Sequence, residues 1–168
     1  QLNILLESYP INAVKTGLLP SRMSIIAVAE ILKDRQIPLV VDPVMIASTG
    51  TSLINEDASG TITSRLLTAA SLVTPNIPES ESILKRTIHS EPDLAQSACD
   101  IAEQYHLSGL VKGGHLPGNG DRLDVLWHQG QAHHFRHPYT DLPGGIHGTG
   151  CTLSSAITAG LALKHPME

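Results

Sequence analysis

Aromatic side chains are scarce in this chain: one Trp, three Tyr and one Phe among 168 residues. A core without them rests on Leu, Ile, Val and Ala, which favours layered α/β packing over an aromatic-rich all-β sandwich. Cysteine is rarer still. Cys99 and Cys151 are the only two, and they lack metal-ligand spacing, which excludes a disulfide scaffold and predicts a reducing, cytoplasmic setting. Basic charge is not in excess, with 11 Lys and Arg against 16 Asp and Glu. No Lys/Arg stretch is clustered either, so nucleic acid is not expected as a partner. Long apolar runs are also missing. None approaches the roughly 20 residues that span a bilayer, so no membrane span is expected. The chain opens at Gln1 in a polar, helix-like segment, which predicts no secretory signal at that end.

What remains is a chain long enough for one domain with a real core. Histidines are numerous but scattered. His133 and His134 lie in alternating sequence, so their rings fall on opposite faces of a strand and predict surface or half-buried residues, not a zinc site.

Periodicity gives the organisation. Ala13 to Thr16 reads as a short strand ending at Gly17, and Ser21 as the cap of a helix burying Ile25, Val28, Ala29 and Leu32. Pro38 to Asp42 is a compact apolar run, the mark of a buried parallel strand. Asn55 or Ser59 caps a helix reaching Ala70, and Ser71 to Thr74 is a strand stopped by Pro75. Ser90 caps a helix that tolerates Pro92 in its first turn and buries Leu94, Ala98, Ile101, Ala102 and Tyr105. Gly109 to Lys112 is a further strand. Residues 123 to 136 predict a β-hairpin turning at Gln129-Gly130, and the last helix carries a stripe of Leu153, Ala156, Ile157, Gly160 and Leu161. Repeated β-α units, a hairpin and a closing helix make an α/β fold in one domain.

In such sheets ligands bind outside the carboxyl ends of the strands. The residues there are Gly17, Asp42, Thr74-Pro75-Asn76 and Lys112-Gly113-Gly114, polar or glycine where the strand bodies are apolar. Asn76 and Glu79 stand three apart at a strand-to-helix junction. They suit Mg²⁺, which keeps several waters and takes few carboxylates, or else Glu79 simply favours a helix N-terminus. Asp42 either organises a cation or phosphate or caps the following turn. Lys112 either meets a ligand across a flexible glycine backbone or is a solvated charge.

Gly148-Thr149-Gly150-Cys151 is the sharpest motif. Small residues feed a helix N-terminus, where outward N–H groups and the dipole favour phosphate. The same field is expected to stabilise the thiolate of Cys151. The bland alternative is a tight helix start with a packed cysteine. No Gly-Lys-Ser/Thr follows, so this is not a Walker A loop.

Four segments occur in order: Val41-Asp42-Pro43-Val44-Met45, Thr74-Pro75-Asn76-Ile77-Pro78-Glu79, Val111-Lys112-Gly113-Gly114-His115 and His147-Gly148-Thr149-Gly150-Cys151-Thr152-Leu153. Together they resemble the hydroxymethylpyrimidine/phosphomethylpyrimidine kinase family of the ribokinase-like superfamily. Lys15-Thr16-Gly17-Leu18-Leu19 is similar to that family's strand end lining the pyrimidine pocket.

The resemblance implies a ribokinase-like three-layer α/β/α fold with a mostly parallel central sheet and a β-hairpin near the C-terminal end. It implies an ATP- and Mg²⁺-dependent kinase of thiamine biosynthesis. Its small-molecule substrates would be 4-amino-5-hydroxymethyl-2-methylpyrimidine and then the monophosphate. By the match, Gly148, Thr149 and Gly150 form the anion hole, and Cys151 sits where many relatives carry a base aspartate. Lys112, Thr74, Asn76 and Asp42 face the nucleotide, Glu79, Asn76 and Asp42 arrange the metal, and Gly17, Leu18 and Val44 line the substrate pocket. A homodimer is expected by the same analogy.

The family begins with a glycine-rich strand-turn-helix and continues past the last helix, so the resemblance implies one domain, residues 1–168, incomplete at both ends. The span alone is expected to be inactive in steady-state ATP turnover. Two alternatives stand beside this reading: a pyridoxal kinase of the same superfamily, and a non-catalytic nucleotide or pyrimidine binder.

Overall fold

The computed structural model describes residues 1–45, 53–114, 116, 121–138 and 148–168. Helix α1 (Leu2–Ser8) precedes strand β1 (Val14–Thr16). Ser21 starts α2 (Arg22–Leu32) through a capping box: its hydroxyl accepts the Ser24 amide at 3.2 Å, and Ser24 returns the bond at 3.3 Å. Strand β2 (Leu39–Val41) follows, buried along its length.

Of the two candidate caps for the next helix, Asn55 is the one used. Its Oδ1 accepts the Ala58 amide at 2.8 Å and opens α3 (Glu56–Thr61). The helical path does reach Ala69, but as a π-helical turn (Ile62–Leu66) and then a 3₁₀ turn (Leu67–Ala69). The physical reason lies in the hydroxyls. Thr63 and Ser64 both donate to the Gly60 carbonyl, at 3.0 and 2.7 Å, in competition with the backbone ladder.

Next come β3 (Leu72–Val73), α4 (Ile77–Leu84), α5 (Glu91–Tyr105) and β4 (Ser108–Lys112). The chain then makes the expected hairpin, β5 (Arg122–His128) and β6 (Gln131–His137). Gln129 and Gly130 both take positive φ, 49° and 77°, the backbone that a two-residue turn between twisted strands requires. Helix α6 (Thr149–Ala162) closes the described chain.

The six strands lie in sequence order, parallel from β1 to β4 and antiparallel from β4 to β6. Right-handed crossovers in one continuous direction put every connecting helix on the same face. The burial agrees. Leu39, Val41, Val73, Val111 and Val125 join α2 to α5 in one large core. Val40, Leu72, Leu110 and Leu126 point the other way, onto Leu153, Ile157 and Leu161 of α6 and onto Met167. The result is the three-layer, mostly parallel ribokinase-like architecture.

One member of the predicted α6 stripe is misplaced: Ala156 is exposed. The strip of sheet beneath α6 offers only four buried strand residues, and Leu153, Ile157 and Leu161 already cover it. His133 and His134 fall on opposite faces, opposite Leu126 and Val125 respectively, and no group of three metal-capable side chains occurs among the described residues. Among the described residues no helix is long and apolar enough to cross a membrane.

Candidate active site

Parallel pairing brings the carboxyl ends of β1 to β4 to one edge of the sheet, and the ladder runs slightly past each strand. The Asp42 amide donates to Thr16 O at 3.0 Å, Thr74 to Val41 O at 2.9 Å, and Lys112 to Pro75 O at 2.9 Å. Asn76 also bridges to Lys112. Four strand-end residues thus converge although they are distant in sequence. The N-terminus of α6 comes to the same edge from the opposite layer.

Asp42 is the hub. It is 2% exposed, and its Oδ1 lies 3.4 Å from the Lys112 ammonium and its Oδ2 3.7 Å from that of Lys15. Ser154, 0% exposed on α6, donates its hydroxyl to Oδ2 at 3.2 Å. Both lysine side chains are largely buried, so the pairs are screened far less than surface ion pairs. The following turn is closed by the backbone, where the Val44 amide donates to the Asp42 main-chain carbonyl at 2.8 Å, and not by the side chain. Its carboxylate is committed to the two cations and Ser154.

Asn76 and Glu79 form a reciprocal capping box at the start of α4. Asn76 Oδ1 accepts the Glu79 amide at 2.9 Å, and Glu79 Oε2 accepts the Asn76 amide at 2.8 Å. The helix-start alternative is therefore the one this geometry displays. Glu79 has a further property. Burial pushes its carboxyl up to about 7, against the opposing pull of the Asn76 and Met45 amides and the Lys112 charge. A buried carboxyl so costly to ionise gains much from a cation beside it. Asp42 is close enough to raise it further. Two carboxylates side by side match the sparse protein ligation that Mg²⁺ takes.

The shift has a consequence for stability. Unfolded, Glu79 titrates near 4.5; folded, it stays protonated to about 7. The native state therefore holds the extra proton between those values, and stability falls as pH rises from about 4.5 to 7. In metal-free buffer, Glu79→Gln keeps an acceptor for the Asn76 amide and removes this slope. Urea unfolding at pH 5 and pH 8 should show the variant gaining on the wild type by an amount on the order of 3 kcal/mol. Parallel pH profiles for the two proteins would refute the assignment.

At the other wall, Gly148 takes φ +85° as the N-cap of α6, a residue with no side chain to set against the helix start. Gly150 lies so close to Lys112 that a Cβ there would stand 3.0 Å from Nζ. The N-terminal turn of α6 thus meets the Lys112 ammonium, as an anion cradle requires.

The expected thiolate at Cys151 is not supported. Partial burial and the Asp42 carboxylate push the thiol up from its ordinary range, and Lys15 only partly offsets them. The helix field is real, but a full negative charge close by outweighs a partial positive one.

Thr74 is fully buried and its hydroxyl has no partner among the described residues, which leaves a donor at the strand edge. Gly17 and Val44 are half-buried beside the hub and Leu18 is 45% exposed. His115 and His147 lie outside the described residues.

Three contributors were not singled out in the sequence, Lys15 entering only as part of the segment Lys15 to Leu19. Lys15 stands just before the strand-end glycine. Ser154 sits one helical turn after Cys151 and shares its face. Asp124 pairs across the hairpin with Lys112 and accepts the Gly113 amide at 2.9 Å. Of these, Lys15 alone lay in a segment that the resemblance marks, but its partner Asp42 is brought beside it only by the pairing of β1 with β2.

Comparison with known proteins agrees with this geometry. The family model described as phosphomethylpyrimidine kinase matches residues 1–168. The thiamine biosynthesis bifunctional protein of Geobacter sulfurreducens is 39% identical over 169 residues, which cover 100% of this chain and 34% of that protein. Among solved structures, a phosphomethylpyrimidine kinase from Clostridium difficile is similar at a TM-score of 0.85 and 34% identity, over 99% of this chain and 67% of that one. A Bacillus subtilis pyridoxal kinase solved as an ADP complex gives a TM-score of 0.86 at 27% identity, over 99% and 61% of the two chains. The chain thus spans about a third of the length of its bifunctional relative.

Proposed function

The chain belongs to the phosphomethylpyrimidine kinase family, and from that premise we propose that its strand-end site transfers the γ-phosphate of ATP to 4-amino-5-hydroxymethyl-2-methylpyrimidine and then to the monophosphate, a step of thiamine biosynthesis. The observation that carries this is the Asp42 hub, with two largely buried lysines on one carboxylate beneath the N-terminus of α6. Phosphoryl transfer needs positioning and charge stabilisation more than covalent chemistry, and such a site supplies both.

In this reading Gly148, Thr149 and Gly150 receive the transferring phosphoryl group, while Lys112 and Thr74 meet the nucleotide phosphates. Glu79 and Asp42 would hold Mg²⁺ through its waters, with Asn76 fixing Glu79 by the helix cap. When bound, Mg²⁺ would neutralise phosphate charge. Gly17, Leu18 and Val44 line the acceptor pocket.

Cys151 acts as a protonated thiol beside the acceptor. Cys151→Ser is therefore expected to keep kcat within about tenfold of wild type, with no thiol ionisation in its pH–rate profile. A loss on the scale of a missing general base would overturn that role.

A pyridoxal kinase is the second reading, favoured by a TM-score of 0.86. Shape does not separate the two; the higher identity to the pyrimidine kinase, 34% against 27%, supports the first reading. With ATP and both alcohols in one assay of the full-length protein, the pyrimidine should win by at least about tenfold in kcat/KM. Preferred turnover of pyridoxal would reverse the assignment, and Mg²⁺-dependent ATP binding without product would favour a binder.

The same reading makes the chain part of one longer kinase domain, in keeping with its 67% coverage of the Clostridium enzyme. The free thiols of Cys99 and Cys151 support a cytoplasmic setting, and a homodimer is carried over from the family for sedimentation to check.

A further inference from the structure

The two lysines on Asp42 are not equivalent. Lys112 donates a hydrogen bond to Oδ1 at 3.4 Å and lies against Gly150 of the anion turn. It also feels the charge of Glu79. Lys15 approaches Oδ2 only to 3.7 Å, a distance of charge attraction beyond hydrogen-bonding reach. That same oxygen already accepts the Ser154 hydroxyl. The Lys15 side chain is 19% exposed, so four-fifths of it is buried beside a carboxylate whose nearer oxygen is shared.

Its neighbours place it on the acceptor side. A Cβ on Gly17 would lie 3.3 Å from Lys15 Nζ, and Gly17 is one of the residues assigned to the acceptor pocket. Cys151, the end of the anion turn away from Lys112, faces both Lys15 and Asp42. The hub therefore has a cation on each side: Lys112 towards the donor phosphates and Lys15 towards the acceptor.

We propose that Lys15 is the acceptor-side cation of the transfer site, binding the phosphate of a phosphomethyl acceptor and so setting the balance between the two successive transfers. This rests on the kinase reading above. In the first transfer the acceptor hydroxyl oxygen bonds to the γ-phosphorus, the bond from that phosphorus to the β,γ-bridging oxygen breaks, ADP leaves and the hydroxyl proton passes to water. In the second, an already anionic phosphate oxygen makes the same attack and ADP again leaves, with no proton to remove. The acceptors differ chiefly in charge. A hydroxymethyl group offers Lys15 a neutral oxygen, whereas a phosphomethyl group offers a dianion, the partner for which a compact ammonium is suited.

The test compares wild type, Lys15→Met and Lys15→Arg in the full-length protein, with Lys15→Gln as a reserve should the Met variant fail to fold. Binding of the hydroxymethyl and phosphomethyl pyrimidines is measured by calorimetry without nucleotide, and turnover of each is measured with ATP. Loss of one charge-assisted contact should weaken phosphomethyl binding by about 10- to 100-fold and raise its KM correspondingly. Hydroxymethyl binding should change by less than about fivefold, since a neutral hydrogen bond contributes less. Arg should restore most of the phosphomethyl affinity.

Equal losses for both acceptors, or none for either, would overturn the proposal while wild-type turnover of both leaves the kinase reading standing. A wild type that phosphorylates neither pyrimidine would sink both.

Discussion

Gly113→Ala is expected to unfold or severely destabilise the protein, by about 3 kcal/mol or more. A Cβ at this position would overlap the Leu123 carbonyl oxygen and lie 2.8 Å from Leu94 Cδ2. Neither obstacle can step aside. Leu123 belongs to β5 and is 2% exposed, and Leu94 is fully buried on α5. The Gly113 amide is also the donor to Asp124 Oδ1 at 2.9 Å, so a shift of the backbone breaks the tie between the end of β4 and the hairpin. Gly114 is the natural control, since a Cβ there meets nothing within 4 Å. Urea unfolding should show Gly114→Ala near wild type and Gly113→Ala far below it. Two similar midpoints would mean that the β4–β5 junction is looser than described.

Asp42→Ala should cost catalysis more than stability. It leaves two buried ammonium groups without their shared carboxylate and Ser154 with only the Cys151 carbonyl to accept its hydroxyl. The lysines then repel each other and drift, and the anion turn loses the geometry that held Lys112 beneath Gly150. Removing one preorganised electrostatic element of a transfer site costs about 10²- to 10³-fold in kcat. Asp42→Asn, which keeps an acceptor for Ser154 but not the charge, should recover folding without recovering rate. Steady-state kinetics against ATP and acceptor will distinguish a lost transfer site from a lost fold. A variant within about fivefold of wild type would remove Asp42 from the centre of the mechanism.

How legible this was in the sequence differs from residue to residue. Ser21, Asn55 and Ser90 announced their helices because capping is local chemistry. Asp42 and Lys112 stood out because a polar residue ending an apolar run marks a strand's carboxyl end, and parallel strands gather those ends together. The hairpin was legible from Gln129-Gly130. The thiol of Cys151 was not: its dipole lay in its own helix, but the burial that raises it and the Asp42 carboxylate that adds to it come from the fold, the latter from the end of β2. Lys15 is a case of the same kind, since its meaning depends on a partner that only pairing of β1 with β2 supplies. The π-helical turn after α3 depends on hydroxyls competing for the Gly60 carbonyl, a contest that periodicity does not register. Ala156 failed because a helix stripe predicts which residues are apolar, not how wide a surface awaits them.

The account turns on the Asp42 hub being the place where phosphate is transferred. Its most direct test is transfer of the labelled γ-phosphate of ATP by the full-length protein and by its Asp42→Ala variant, with 4-amino-5-hydroxymethyl-2-methylpyrimidine as acceptor. Label should pass into the pyrimidine monophosphate and then the diphosphate with wild type, and at least about 10²-fold more slowly with the variant at a temperature where both proteins are folded. Transfer by the folded variant at the wild-type rate would contradict it.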